Sequence, residues 1–211
     1  MRLLFLVLLP LIALLSRDPV RPGASSLDPA RIAAGTDSFL VAVQQNGQLG
    51  IVGVLVLSTR KDASGVLTRN ERLESLEGQS LQVDSFALDA ATLAPIHQET
   101  DGGSALVLGT AFHDNSVDVV LAALPLAPGF EAELILEREG GGEQTATARV
   151  TGTESVALVD GQTCPSWRVE VTAEGEAGAY YIGKASHELM RYHSPSAGLL
   201  INRARGCKGT R

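Results

Sequence analysis

Four histidines, two cysteines and a few paired carboxylates are the side chains from which this 211-residue chain would have to build any chemistry. His187 and His193 lie six residues apart. On one strand they would face the same side, but a metal held there still lacks further ligands. His97 and His113 stand apart, and no His-Glu-x-x-His sequence sets two imidazoles one helical turn from each other. A serine nucleophile needs a base and an orienting acid. The chain has no Gly-x-Ser-x-Gly turn, and Ser186-His187 and His193-Ser194 are merely neighbours in sequence, which is not the geometry of proton transfer. Glu131 with Glu133, and Glu137 with Glu139, fall on the polar side of an alternating strand and read as a solvated face. Gly140-Gly141-Gly142 precedes Glu143, which repels phosphate, where a phosphate loop would place Lys and a helix. No catalytic residue, metal site or cofactor is expected.

Binding is the remaining class. Phe112, Phe130, Trp167 and Tyr181 are large residues on expected strands. In a sheet closed on itself they only fill the core; in a half-open barrel they line a cavity for an acyl chain or another apolar ligand. The net charge is -7 and the chain holds only three lysines, Lys61, Lys184 and Lys208, so no basic patch argues for nucleic acid.

The elements that must position these residues read as β. Phe39–Val43 and Ile51–Leu57 flank Asn46-Gly47, the favoured two-residue hairpin turn. Leu67–Glu74, Gln79–Leu88, Leu93–Glu99 and Ala105–His113 follow as strands, the last two around Asp101-Gly102-Gly103. Phe130, Ala132, Leu134 and Leu136 alternate with polar residues, as do Ala146, Ala148 and Val150, and the glycine run joins them as a hairpin with one wet face. Trp167–Val171, Tyr180–Ile182, His187–Tyr192 and Leu199–Arg203 close the chain. The one segment that reads as a short helix or turn is Ser116–Leu124, with Asp114 or Ser116 as cap and Pro125 ending it, and strand as the alternative since Val is frequent there. Nine to eleven strands with one short helix give a mainly β fold: an antiparallel curved sheet or half-open barrel.

Arg2 and the apolar run Leu3–Leu15 fit the leader of a secretory signal peptide, being too short for a spanning helix. With Ala24 as the small residue at cleavage, residues 1–24 are the signal peptide, 25–37 a Pro-, Gly-, Ser- and Ala-rich linker, and 38–206 a single β domain. Such cleavage removes three arginines and one aspartate and leaves the rest more acidic. A periplasmic or secreted location favours pairing of Cys164 with Cys207, closing a 43-residue span worth about 3–4 kcal/mol in the chain-entropy model.

The second half carries Val150-x-Gly-x-Glu-x-Val156, Gly161-x-x-Cys-x-x-Trp-x-Val-x-Val171, Tyr180-Tyr181-Ile182 and His187-x-Leu-x-Arg191, after Thr92-Leu-Ala-Pro-Ile96 and Leu124-Pro125-Leu126. Over residues 38–204 this resembles an exported bacterial envelope family of unknown function, similar in shape to the outer-membrane lipoprotein carriers. The resemblance implies an antiparallel half-barrel wrapped over a helix, with a concave apolar surface; Tyr181 stands where that family has Trp. The expected function is non-catalytic binding of a lipid or acyl ligand on that surface. The alternative is a fully packed interaction module that meets an envelope protein partner.

Overall fold

The computed structural model describes residues 18–100, 103–106, 109–138 and 141–207. The apolar run 3–15, the Asp101-Gly102 turn and Glu139-Gly140 lie outside them. Twelve strands form: β1 (Gly35–Gln45), β2 (Gln48–Lys61), β3 (Val66–Glu74), β4 (Ser80–Asp89), β5 (Pro95–Thr100), β6 (Gly103–Leu106), β7 (Glu131–Glu137), β8 (Glu143–Ala157), β9 (Thr163–Ala173), β10 (Glu176–Gly183), β11 (Leu189–Ser194) and β12 (Leu199–Arg203). One α-helix, α1 (Val117–Ala123), lies between β6 and β7. The hydrogen-bonded order is β6-β5-β4-β3-β2-β1-β12-β11-β10-β9-β8-β7. Two antiparallel meanders are thus joined where the first strand pairs with the last, and the sheet stays open between β6 and β7.

The sheet is curved, because residues from both meanders converge on one helix. Six of the seven residues of α1 are buried, and they pack with Leu67, Phe86 and Leu88 from one half and with Leu134, Val169 and Ile182 from the other. Register shifts at Val41/Ala42, Leu73/Glu74, Ala87/Leu88, Val150/Gly152 and Tyr181/Ile182 supply the bends. The mainly β fold expected from alternation, an antiparallel curved sheet with one short helix, is the fold observed.

Local chemistry explains most boundaries. Asn46 and Gly47 both have positive φ, 51° and 78°, as the β1–β2 hairpin turn requires. Leu124 is extended (φ -80°, ψ 151°) ahead of Pro125, which ends α1. Ser116 does not cap the helix through its hydroxyl, which donates to the His113 carbonyl at 2.6 Å. The His113 ring, stacked on Phe86, accepts from Asn115 N–H at 3.1 Å instead.

Two expected strands are shorter than read. β6 is described to Leu106, residues 107–108 of the expected Ala105–His113 strand lie outside the described ones, and Phe112 makes an isolated bridge to Leu136 at the β7 edge. β11 begins at Leu189, since His187 occupies a turn with φ 55°. His187 and His193 therefore do not share a strand.

The segment before β1 is packed. Val20 is buried and bridges the β7 edge, its N–H donating to Glu133 O (2.7 Å) while its carbonyl accepts from Ile135 N–H (3.1 Å). Phe112 does the same further along, so the edge of β7 is blunted by two short parallel bridges. Gly23 N–H donates to Thr92 O at 2.8 Å, and Arg21 pairs with Glu143 at 2.9 Å. Within the stretch expected as linker, Asp28 N–H and Arg31 Nη1 donate to Ala123 O (2.8 Å) and Leu124 O (3.0 Å), satisfying carbonyls at the end of α1. Ala24, Leu27 and Ile32 pack on the core. Cleavage after Ala24 would discard the Val20 and Arg21 contacts.

A second, smaller core lies on the other face of β8–β11. Val156, Leu158, Cys164, Ala179, Tyr181 and Met190 form it, and Cys207 packs against it. The Cys164–Cys207 disulfide is present, with a Cα–Cα distance of 5.6 Å, and holds the tail over this patch.

A chain beginning at Ser25 is expected to lose about 2–3 kcal/mol of urea stability relative to one beginning at Asp18, mainly through exposing the site of Val20. Free-thiol titration of the unfolded, unreduced protein should find none. The Cys164→Ala/Cys207→Ala double variant should unfold about 3–4 kcal/mol more easily.

Candidate functional site

One face of the strands from β4 through β1 and β12 to β10 carries two runs of paired residues. Asp84 lies opposite Glu71, Glu71 opposite Leu57, and Leu73 opposite Leu55. Val41 pairs with Ile201, Ile201 with Tyr192, and Tyr192 with Tyr180. Cross-strand partners share a face, so these side chains stand on the concave side toward α1. They line a groove of three connected pockets. The largest, about 690 Å³, runs between the start of α1 and β7–β11 and includes Asp114, Tyr180 and Tyr192. The central one, about 200 Å³, shares those three residues and adds Arg69, Glu71 and Asp118. The third, about 210 Å³, shares Leu55, Glu71 and Ile201 with the central one and is otherwise walled mainly by Val41, Leu73 and Leu199.

The aromatic pair is made possible by a glycine. Tyr180 and Tyr192 have ring centroids 4.6 Å apart at 46°. A Cβ at Gly178 would lie 2.8 Å from the Tyr192 ring, so only glycine lets that ring lie across β10. Burial, with Tyr192 and the Asp118 and Asp114 carboxylates nearby, holds the Tyr180 phenol well above its ordinary pKa.

The centre of the groove is a charged strap between sheet and helix. Arg69 on β3 donates from Nη2 to Asp118 of α1 at 2.7 Å and from Nη1 to Thr59 at 2.9 Å. Its Nε lies 3.5 Å from Glu71 Oε1 without forming a hydrogen bond. Both members of the Arg69–Asp118 pair are largely shielded from water, with side chains 10% and 13% exposed. Glu71 is pushed up to about 7, first by burial and then by the Asp118 and Asp84 carboxylates, with Arg69 opposing.

A smaller cavity of about 40 Å³ lies behind this strap; it shares Leu57, Arg69, Asp118 and Leu189 with the central pocket and is lined also by Asp37, Arg203, Glu188 and His187. Arg203 is 1% exposed. It is paired with Asp37 on β1 and with Glu188 at 3.2 Å, and it also donates to Leu189 O at 3.2 Å. His187 Nδ1 is buried there without a hydrogen-bond partner, and burial together with Arg31 lowers the pKa of the ring. Among the described residues, no three His, Cys, Asp or Glu side chains converge as a metal site, and no helix is long and apolar enough to cross a membrane.

The four residues singled out as apolar ligand contacts are placed differently. Phe112 is fully buried in the main core, and Phe130 and Trp167 pack against that core. Lys184 Nζ sits 4.1 Å from the Trp167 ring centre. Tyr181 is on the opposite face, in the second core, with the Arg191 guanidinium 5.5 Å from its ring. The structure brings the first three to one core and separates Tyr181 from them; none lines the groove. Tyr180, Tyr192, Arg69, Glu71 and Asp118 take that place. A signal for them existed: Leu67-x-Arg69-x-Glu71-x-Leu73 puts two charges on an apolar stripe, and Asp118 is the lone charge in an otherwise apolar helix.

Comparison with models of protein families, with curated proteins and with solved structures finds no match to this chain.

Glu71 binds its proton more tightly folded than unfolded, so the contribution it makes to stability is complete below about pH 4.5 and fades as pH rises through 7. Glu71→Gln should flatten that decline. The expected result is a gain of about 1–3 kcal/mol over the native chain at pH 8 and little difference at pH 5, read by urea unfolding across pH.

Proposed function

We propose that this chain is an exported envelope protein, periplasmic or secreted, that holds an apolar or lipidic ligand on the concave face of an open β half-barrel and catalyses nothing. The observation that carries the reading is the groove itself. It runs beside a helix across the inner face of a sheet, ends in a wall of Val41, Leu55, Leu73, Leu199 and Ile201, and stays open where a packed module would be filled. Its three pockets are lined by tyrosines, carboxylates and two arginines among the described residues, and His187 lines the small cavity that adjoins the central one.

The apolar leader run and the disulfide support an oxidising compartment outside the cytosol. A leader that ends before Asp18 keeps the packed residues 20–24 in the mature protein. The half-barrel over a helix is also the shape that the resemblance to lipoprotein carriers implied, and the kinship with those carriers belongs to this proposal.

Delipidated protein should gain thermal stability from a panel of lipids with neutral, anionic and cationic heads. At a hundredfold excess over Kd, binding contributes about 2.7 kcal/mol, or roughly 5–10 °C in Tm for a chain this size. Absence of any shift across the panel would favour the packed interaction module.

A further inference from the structure

Resting on the ligand-binding reading above, we infer that the groove selects an amphiphile with a cationic head, a primary or quaternary ammonium, and takes its alkyl chain toward the Leu73–Leu199 end. The head would sit in the large pocket between the Tyr180–Tyr192 pair and Asp114, and the chain would run past the central strap into the apolar pocket.

Charge decides the sign of the head. Six carboxyl groups line the three pockets among the described residues, Glu71, Asp84, Asp114, Asp118, Glu174 and Glu176; Asp118 and Glu174 are matched by arginines and Glu71 is pushed up to about 7, so the negative field comes mainly from Asp84, Asp114 and Glu176. Two guanidinium groups face them, Arg69 and Arg138. Both are engaged. Arg69 is spent on Asp118, Thr59 and the neighbouring Glu71, and Arg138 is paired with Glu174. An incoming carboxylate or phosphate would have to break one of these pairs and enter against the remaining acids. A cation meets the opposite field, reinforced by a net charge of -7 on the whole chain.

The aromatic pair supplies recognition independent of those acids. Two tyrosine rings at 4.6 Å line both the large and the central pocket, and ring faces attract ammonium groups through their quadrupole. Gly178 leaves the room that lets the Tyr192 ring lie there. Beyond them the aliphatic side chains of Val41, Leu55, Leu73, Leu199 and Ile201 suit an alkyl chain, beside Glu71, Gln82 and Asp84 in the same pocket.

Calorimetric titration of the purified protein at 150 mM salt, below micelle formation, tests this with dodecyltrimethylammonium, dodecylamine, dodecanol and dodecanoate. The two cations should bind at least about tenfold more tightly than dodecanoate. Tyr192→Leu should weaken the cations about tenfold and leave dodecanol within about twofold. Asp114→Asn, at an exposed position, should weaken the cations severalfold and serves if the tyrosine variant does not fold. Glu154→Gln, beside Arg191 on the convex face, should change nothing. Dodecanoate binding as tightly as the amines, or cation selectivity that survives both groove variants, overturns the head-group assignment and leaves the apolar-ligand reading standing. No binding of any of the four overturns that reading as well.

Discussion

Pairing of the first strand with the last holds this molecule in one piece. Among the described residues, β1 and β12 are the only strands through which the two meanders pair within the sheet, and five residue pairs from Phe39–Arg203 to Val43–Leu199 join them. Arg203 sits at the end of that seam, almost wholly buried, with Asp37 from one meander and Glu188 from the other. A buried guanidinium is costly unless its charge and donors are all met, and an unpartnered one is far worse than a hydrophobic residue. The seam is therefore sensitive to register: a slip of one residue would turn Arg203 to the convex face and take its charge away from Asp37 and Glu188.

The same economy governs the inner face. A curved sheet has to cover its concave side, and a seven-residue helix with six buried residues covers only part of it. The N-terminal segment fills the end beside Leu124, where Asp28 and Arg31 take up helix carbonyls. The opposite end, at the start of the helix, is left uncovered and becomes the groove. Arg69 and Asp118 mark the border between the filled and the open part, tying helix to sheet at a place where apolar contact alone would let them part.

Alternation along the strands made the β class, the helix and the hairpin at Asn46-Gly47 legible from sequence, because period two and turn chemistry are local properties. The site was less legible. Tyr180 and Tyr181 are adjacent, so they must face opposite ways, and sequence alone does not say which side is concave. That choice is made by pairing to Tyr192 and Ile201, more than ten residues away. Phe112 read as a strand residue, but it makes an isolated bridge and is fully buried, and a Phe that plugs the core looks the same in sequence as one that lines a cavity. Residues 25–37 read as linker from composition, while their hydrogen bonds go to helix carbonyls that no local pattern announces. Cys164 and Cys207 were the exception among distant pairs, since only one pairing exists for two thiols.

The seam has a temporal side. Each meander can zip up hairpin by hairpin from neighbours in sequence, yet the zipper between them needs residues 35–45 and 199–203 at once. The seam is out of reach until residues 199–203 have been made, and the disulfide needs Cys207 beyond them.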